Sequence, residues 1–395
     1  VKTSAFLYPW DVVGDPDAPA RVADLGVRQV TLASAYHSTR ALTPRHPRHR
    51  VVTAEHAAVL YPLDEARWAD AELRPYAAGD WAPGDAYGEA AAALADAGLD
   101  VHTWVVLAHN SRLGAEHPDT SVVNAYGDRY PWAPCVARPA VRTYVTSLAA
   151  EAAVRPGAAG TELESLGWYG LAHLHAHDKI GGVPLGEAAQ YLMSLCFCSV
   201  CRAGYLSLDL DADELTAAVR RALEPVWNGA EDPGGPEQGW PAVERLLGVD
   251  LASATLNWRA RTARTLQEDT VAAVRAQAGP GFQVLLHADP HPHRTGANAG
   301  VDPAHILGTA DGVVLPCTGG AARAMLTPFA AHRPESAVLA ANFTVVTGMG
   351  GSPGTLADDA AQARALGATE LRLYHAGLAS DPDLAAVAAA LSRLG

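Results

Sequence analysis

Lysine is almost missing from this chain. Lys2 and Lys179 are the only two in 395 residues, and every other basic residue is an arginine. Basic residues are also outnumbered, 29 against 43 acidic ones, for a formal net charge of −14. Phosphate binding needs a basic face, so this balance argues against nucleic acid as a partner. No apolar run approaches the roughly 20 residues of a membrane helix. The first stretch, "VKTSAFLYPWDVVGD", has a strand-like apolar run but contains no basic n-region and no small-residue cleavage pattern. That start reads as the first strand of a cytoplasmic protein. Five cysteines, Cys135, Cys196, Cys198, Cys201 and Cys317, are too few and odd in number for a disulfide framework, and a reducing compartment fits them. A Walker P-loop, a dinucleotide glycine fingerprint and a serine nucleophile elbow are all absent. The Gly-rich "TGMGGSPG" (347–354) lacks the P-loop lysine and reads as a rim loop.

What is there is alternation. Eight short β-branched runs lie at 3–9, 27–34, 101–108, 161–168, 282–288, 312–317, 337–343 and 370–376. Helix-like, Ala-rich segments separate them, and those at "DAYGEAAAALADAG" and "ADDAAQARALGA" both run into glycine, a usual stop. Eight such units predict an α/β fold, a single (β/α)8 TIM barrel over 1–395, with long loops or insertions at the C-terminal face. Two gaps are too long for simple connections. Residues 36–90, rich in Trp, Tyr, Pro and His, suit a lid or loop after strand two. Residues 206–275 read as a helical insertion.

The stretch "GTELESLGWYGLAHLHAHDKIG" (160–181) carries the strongest chemical signal. Side chains alternate along a strand, so Glu162 and Glu164 share a face while Leu163 and Ser165 take the other. Both glutamates are expected inside the barrel, with Glu164 nearer the mouth. An unpaired buried carboxylate costs several kcal/mol or titrates high, so it needs partners or a function. A structural ion pair with a core arginine is one reading, and a catalytic carboxylate is the other. Asp289, after strand five in "LLHADPHPH", is the expected second carboxylate; an Asx turn before Pro290 is its alternative. Strand ends offer Tyr8, Trp10, Tyr36, His37, His109, Asn110, Trp168, His287, Asn342, Tyr374 and His375. His173, His175 and His177 follow strand four. Such a pocket suits a sugar, with rings stacking on CH faces and polar groups meeting hydroxyls. Two carboxylates there would cleave a glycosidic bond, one as acid and the other as nucleophile or base. Glu162, one layer deeper, is expected to tune the pKa of Glu164 and is counted with the catalytic group.

The chain resembles a large, loosely defined group of glycoside-hydrolase-like TIM-barrel proteins. The stretches that carry this are "ELESLGWYG", "LCFCSVC" (195–201), and "LAHNSRLGAEHPD" with "NAYGDRYPWAPCVARPAVRTY". The resemblance implies carbohydrate-directed hydrolysis with an acidic residue on strand four, here Glu164. Strand seven, "AANFT", departs from the commonest retaining arrangement by offering Asn342 in place of a carboxylate.

Two other functions compete: a metal-dependent barrel hydrolase, isomerase or lyase using the histidines, and a non-catalytic sugar-binding barrel. No compact ligand motif accompanies the histidines, so no catalytic metal or cofactor is expected. Cys196, Cys198 and Cys201 would form a structural zinc site if Cys135 or a histidine completed it; otherwise they are buried thiols. The expected partner is a small carbohydrate substrate, with no nucleic acid and no membrane, and a homo-oligomer is compatible with the sequence.

Overall fold

A computed structural model describes residues 1–174, 178–230 and 238–394. His175 and His177 lie outside the described residues. Eight parallel strands close on themselves: β1 (Lys2–Leu7), β2 (Gln29–Tyr36), β3 (Asp100–Val106), β4 (Ala158–Glu164), β5 (Gln283–Asp289), β6 (Gly312–Pro316), β7 (Val338–Thr344) and β8 (Glu370–Tyr374). Each pairs with its sequence neighbour, and β8 returns to β1. This is the (β/α)8 barrel that the alternation predicts.

The barrel's own helices are α1 (Ala18–Asp24), α2 (Ala86–Asp96), α3 (Pro139–Ala153), α4 (Val249–Gln277), α5 (Pro303–Thr309), α6 (Ala322–Ala330), α7 (Leu356–Ala365) and α8 (Asp381–Leu394). Local chemistry sets their ends. The Asp85 side chain accepts from Gly88 N at the start of α2, and α3 begins with Pro139 at a position where its missing N–H costs nothing. Of the stretch 206–275, helices Ala212–Trp227 and Trp240–Leu247 are additional, whereas the rest is chiefly α4, which packs along α3.

The barrel interior changes character with height. Leu285, Val314, Val338 and Ala340 form an apolar plug. Beside it lies a polar group with Thr31, Glu162 and Arg372, all fully buried. His102 is buried among them, and Gly160 leaves it room, since a Cβ there would lie 2.6 Å from the His102 ring. An aromatic layer follows, in which Phe6 meets Trp104 edge-on at 4.8 Å and Tyr374 at 5.4 Å. Outside the barrel wall, a continuous apolar core joins strands to helices.

The fourth strand stops earlier than its apolar run. It ends at Glu164, and Ser165 takes a left-handed φ of 57°. The turn ends the alternation and sends Leu166 and Trp168 into the helical shell. Between β2 and α2, an antiparallel hairpin of Thr39–Leu42 and Val51–Ala54 stands over the barrel mouth, while Ala58–Val59 adds antiparallel to the end of β2.

Candidate active site

The C-terminal ends of the strands surround a cavity of about 1030 Å³. Glu164, His287, Asn342 and Tyr374 reach it from β4, β5, β7 and β8, and Tyr8 and Tyr36 from the ends of β1 and β2. His37 and His173 stand on its wall. The hairpin after β2 closes one side with Ser38, Arg40, Thr53 and Glu55. This places eight of the residues singled out in the sequence around one space.

Glu164 is 9% exposed. Trp104 Nε1 donates to its Oε2 at 2.7 Å, and His287 Nδ1 lies 3.8 Å from the same oxygen. Burial pushes its carboxyl above the usual carboxylate range. The His287 interaction and the Trp104 hydrogen bond reverse part of that, and the charge of Glu162 adds a little to it.

Glu162 has the opposite fate. Arg372 Nε donates to its Oε1 at 2.5 Å and the Thr31 hydroxyl at 3.0 Å. Burial alone would raise its pKa, but Arg372, then His287 and His102, outweigh burial and hold the carboxyl down at about 2. Arg372 also donates to Glu370 at 2.8 Å. The tuning of Glu164 expected of Glu162 is present, since its charge raises the Glu164 carboxyl. Glu162 is the ion-paired floor beneath Glu164, and its field is the smallest of the influences on its neighbour. His287 spans the two: its Nε2 lies 3.4 Å from Glu162 Oε2, and neither atom has a better partner.

Asp289 does not join the cavity. Its Oδ1 accepts from the backbone N of His291 at 2.9 Å and lies 2.7 Å from the His291 ring nitrogen. The Asx turn explains its position after β5. Five further residues also have other employment. Trp168 donates to Arg259 O and is buried. Asn110 caps the helix Ser111–Glu116 by accepting from Leu113 N, and donates to Tyr144. Trp10 and His375 are buried and stack on the two sides of Tyr8 at 4.5 and 4.3 Å. His109 stands behind the wall, stacked on Tyr169 at 4.1 Å and edge-on to His37 at 4.9 Å. Burial lowers His37 to about 4, and His109 and His375 to about 3, so these imidazoles are neutral over most of the pH range.

Sequence reasoning missed Trp104, Tyr169, Glu55 and Arg372. Two had a usable signal. Trp104 shares the inward parity of His102 on β3, and Arg372 is a charge in the middle of an apolar strand. Tyr169 and Glu55 are positioned by a turn and a hairpin that periodicity does not resolve.

A second cluster lies away from the cavity. Cys135 follows the strand Arg129–Pro134, Cys196 precedes the helix Ser199–Leu206, Cys198 caps it and Cys201 lies inside it. Cys135 Sγ is 3.7 Å from Cys196, 3.7 Å from Cys198 and 3.6 Å from Cys201. All four sulfurs lie within 4.8 Å of one another and are buried. These separations are too long for disulfides. They match the roughly 3.8 Å edge of a tetrahedron whose metal–sulfur bonds are about 2.3 Å. The thiol hydrogen bonds drive the group apart in acidity, pulling Cys198 down and pushing Cys135 up. The cluster can hold a metal ion.

No protein-family model matches the chain, and no curated protein matches it. Solved structures do. The glycoside hydrolase domain of PgaB (BpsB) from Bordetella bronchiseptica aligns with a TM-score of 0.60 at 14% identity, covering 99% of each chain. The catalytic domain of β-amylase from Paenibacillus polymyxa aligns at 0.57 and 12%, covering 100% of this chain and 98% of that one. The α-L-fucosidase isoenzyme 2 from Paenibacillus thiaminolyticus aligns at 0.58 and 12% over the whole of this chain, which spans about half, 49%, of the fucosidase. At these identities the likeness is one of fold: a closed eight-stranded parallel barrel shared with the catalytic domains of glycoside hydrolases.

Proposed function

We propose that the protein is a glycoside hydrolase in which Glu164 is the general acid. The observation that carries this is the environment of one carboxylate. Glu164 is buried, raised in pKa by that burial, and presented to a large polar and aromatic cavity at the strand ends. A carboxyl raised in pKa holds its proton more readily than a free one and can deliver it to a glycosidic oxygen. Trp104 fixes the oxygen it binds, leaving the other free to face the substrate. Tyr8, Tyr36 and Tyr374 supply rings for sugar faces and hydroxyls for sugar oxygens. His37 and His173 meet hydroxyls as neutral imidazoles. The segment 36–90 serves as the lid, since its hairpin residues form one side of the cavity.

The structural neighbours support this reading through their barrel. The competing metal-dependent reading draws on the wall histidines. His37 and His109 Nδ1, however, lie 2.7 and 3.1 Å from carbonyl oxygens of Ser38 and Trp132, and His173 is engaged with the Tyr169 hydroxyl. Among the described residues, the group near enough to share a metal is the four cysteines. We assign that cluster to a structural zinc held by Cys135, Cys196, Cys198 and Cys201, which ties the hairpin before α3 to the helices after β4. The test of the main reading is release of nitrophenol from a panel of α- and β-aryl glycosides. Turnover that Glu164→Gln removes supports it. A chain that binds sugars and hydrolyses none of them is the sugar-binding barrel instead.

A further inference from the structure

Hydrolysis of a glycoside needs a proton for the leaving oxygen and a nucleophile, or a base for water, on the other face of the ring. Glu164 provides the first. Among the described residues lining the cavity, the other carboxylate is Glu55, exposed on the hairpin at the rim. What lies three strands round the barrel from Glu164 is an amide. Asn342 sits on β7 in register with Arg372, one inward position below the Thr344–Tyr374 pair. Its side chain lines the cavity, and its Oδ1 is buried without a hydrogen-bond partner. An amide carbonyl with no protein partner costs free energy unless water or a ligand satisfies it. The Asn342 amide is too weak a base to take a proton from water at ordinary pH and does not replace a carboxylate there. It can accept the N–H of another amide.

We infer that the substrate is a 2-acetamido sugar whose own acetamide is the nucleophile, with Asn342 holding the acetamide N–H. This rests on the glycoside hydrolase reading above. The acetamide carbonyl oxygen forms a bond to the anomeric carbon while the glycosidic bond breaks, and the leaving oxygen takes the Glu164 proton. The product is a sugar oxazolinium, whose N–H carries positive charge and donates to Asn342 Oδ1 more strongly than the neutral amide did. Binding that strengthens along the reaction is what accelerates it. Water then adds to the anomeric carbon, Glu164 takes its proton back, and the carbon–oxygen bond to the acetamide reopens. The anomeric configuration is retained. The phenols of Tyr8, Tyr36 and Tyr374 make the surrounding wall, suited to the acetamide methyl and to a donor hydrogen bond on its oxygen.

The experiment uses the unaltered chain and aryl 2-acylamido-2-deoxyglycosides in which the acyl group is acetyl, fluoroacetyl, difluoroacetyl or trifluoroacetyl. Fluorine weakens the carbonyl oxygen as a nucleophile, so kcat/KM should fall across the series by tenfold or more, a loss of roughly 1.4 kcal/mol or more in transition-state stabilisation. The matching 2-hydroxy glycosides should be cleaved far more slowly. Asn342→Ala should lower kcat on the acetamido substrate by roughly a hundredfold, the scale of one lost transition-state hydrogen bond. A flat acyl series, or 2-hydroxy glycosides cleaved equally well, overturns the inference and leaves the glycoside hydrolase reading standing. Cleavage of neither class overturns both.

Discussion

Replacing Arg372 by methionine removes the cation beneath the site while keeping an apolar side chain of similar length. Arg372 and Glu162 are both fully buried and 2.5 Å apart. The pair holds the Glu162 carboxyl at about 2, against an ordinary value of 4.5. Each pKa unit corresponds to 1.36 kcal/mol, so the difference represents roughly 3 kcal/mol of folding free energy at neutral pH. Breaking buried pairs by removing one partner costs about 3–5 kcal/mol, which agrees. The sign with pH follows from a depressed carboxylate. Its stabilisation is complete above about pH 4.5 and disappears as pH falls toward 2. In Arg372→Met, Glu162 remains buried without its cation, so its pKa rises and acid then relieves the cost. Urea unfolding of both proteins at several pH values is the assay, with the midpoint expected to fall and the slope to stay constant. The double variant with Glu162→Gln should recover most of the loss. A loss under about 1 kcal/mol, or two proteins with parallel pH dependence, would refute the ion-pair account.

Four further outcomes follow from the same geometry. Glu164→Gln should be at least as stable as the unaltered chain at pH 7, because burial penalises the ionised carboxylate, and the difference should shrink as pH falls from neutral toward about 4.5, where both states are becoming protonated; calorimetry at two pH values checks it. His102, His109 and His375 are held neutral by burial, with values near 3. Stability should therefore decline as pH drops below the unfolded histidine value of about 6.5, visible as a falling midpoint in urea. The purified protein should carry about one zinc per chain by elemental analysis, and Cys198→Ser should lower both zinc content and thermal midpoint, while chelators leave kcat unchanged in protein that stays folded. Glu55→Gln should change kcat/KM by less than about threefold, against a hundredfold or more for Glu164→Gln.

The barrel was legible in the sequence because each strand is a short β-branched run bounded by turns, and a buried parallel strand needs little else. Glu162 and Glu164 were correctly turned inward by parity. The division of labour between them was not readable, because the arginine that fixes Glu162 lies 210 residues away in the chain. Asp289 looked catalytic by parity, yet an aspartate two residues before a histidine N–H satisfies itself locally before it reaches a pocket. Trp168 was lost to the turn at Ser165, whose left-handed backbone nothing in an apolar run announces. The cysteine cluster was three-quarters visible as Cys-x-Cys-x-x-Cys, and its fourth member required a hairpin to bring Cys135 across. Strand seven, with Asn342 at its inward end, could be read directly. Only the cavity gives that amide its meaning.

The general-acid assignment of Glu164 is tested most directly by kcat of Glu164→Gln on two substrates that differ only in the leaving group. Dinitrophenolate departs without a proton, whereas an alkoxide needs one. The account predicts that the variant loses roughly a hundredfold or more on the alkyl glycoside and little in the bond-breaking step on the dinitrophenyl glycoside. Equal losses on both substrates, or near-full activity on the alkyl glycoside, would contradict it.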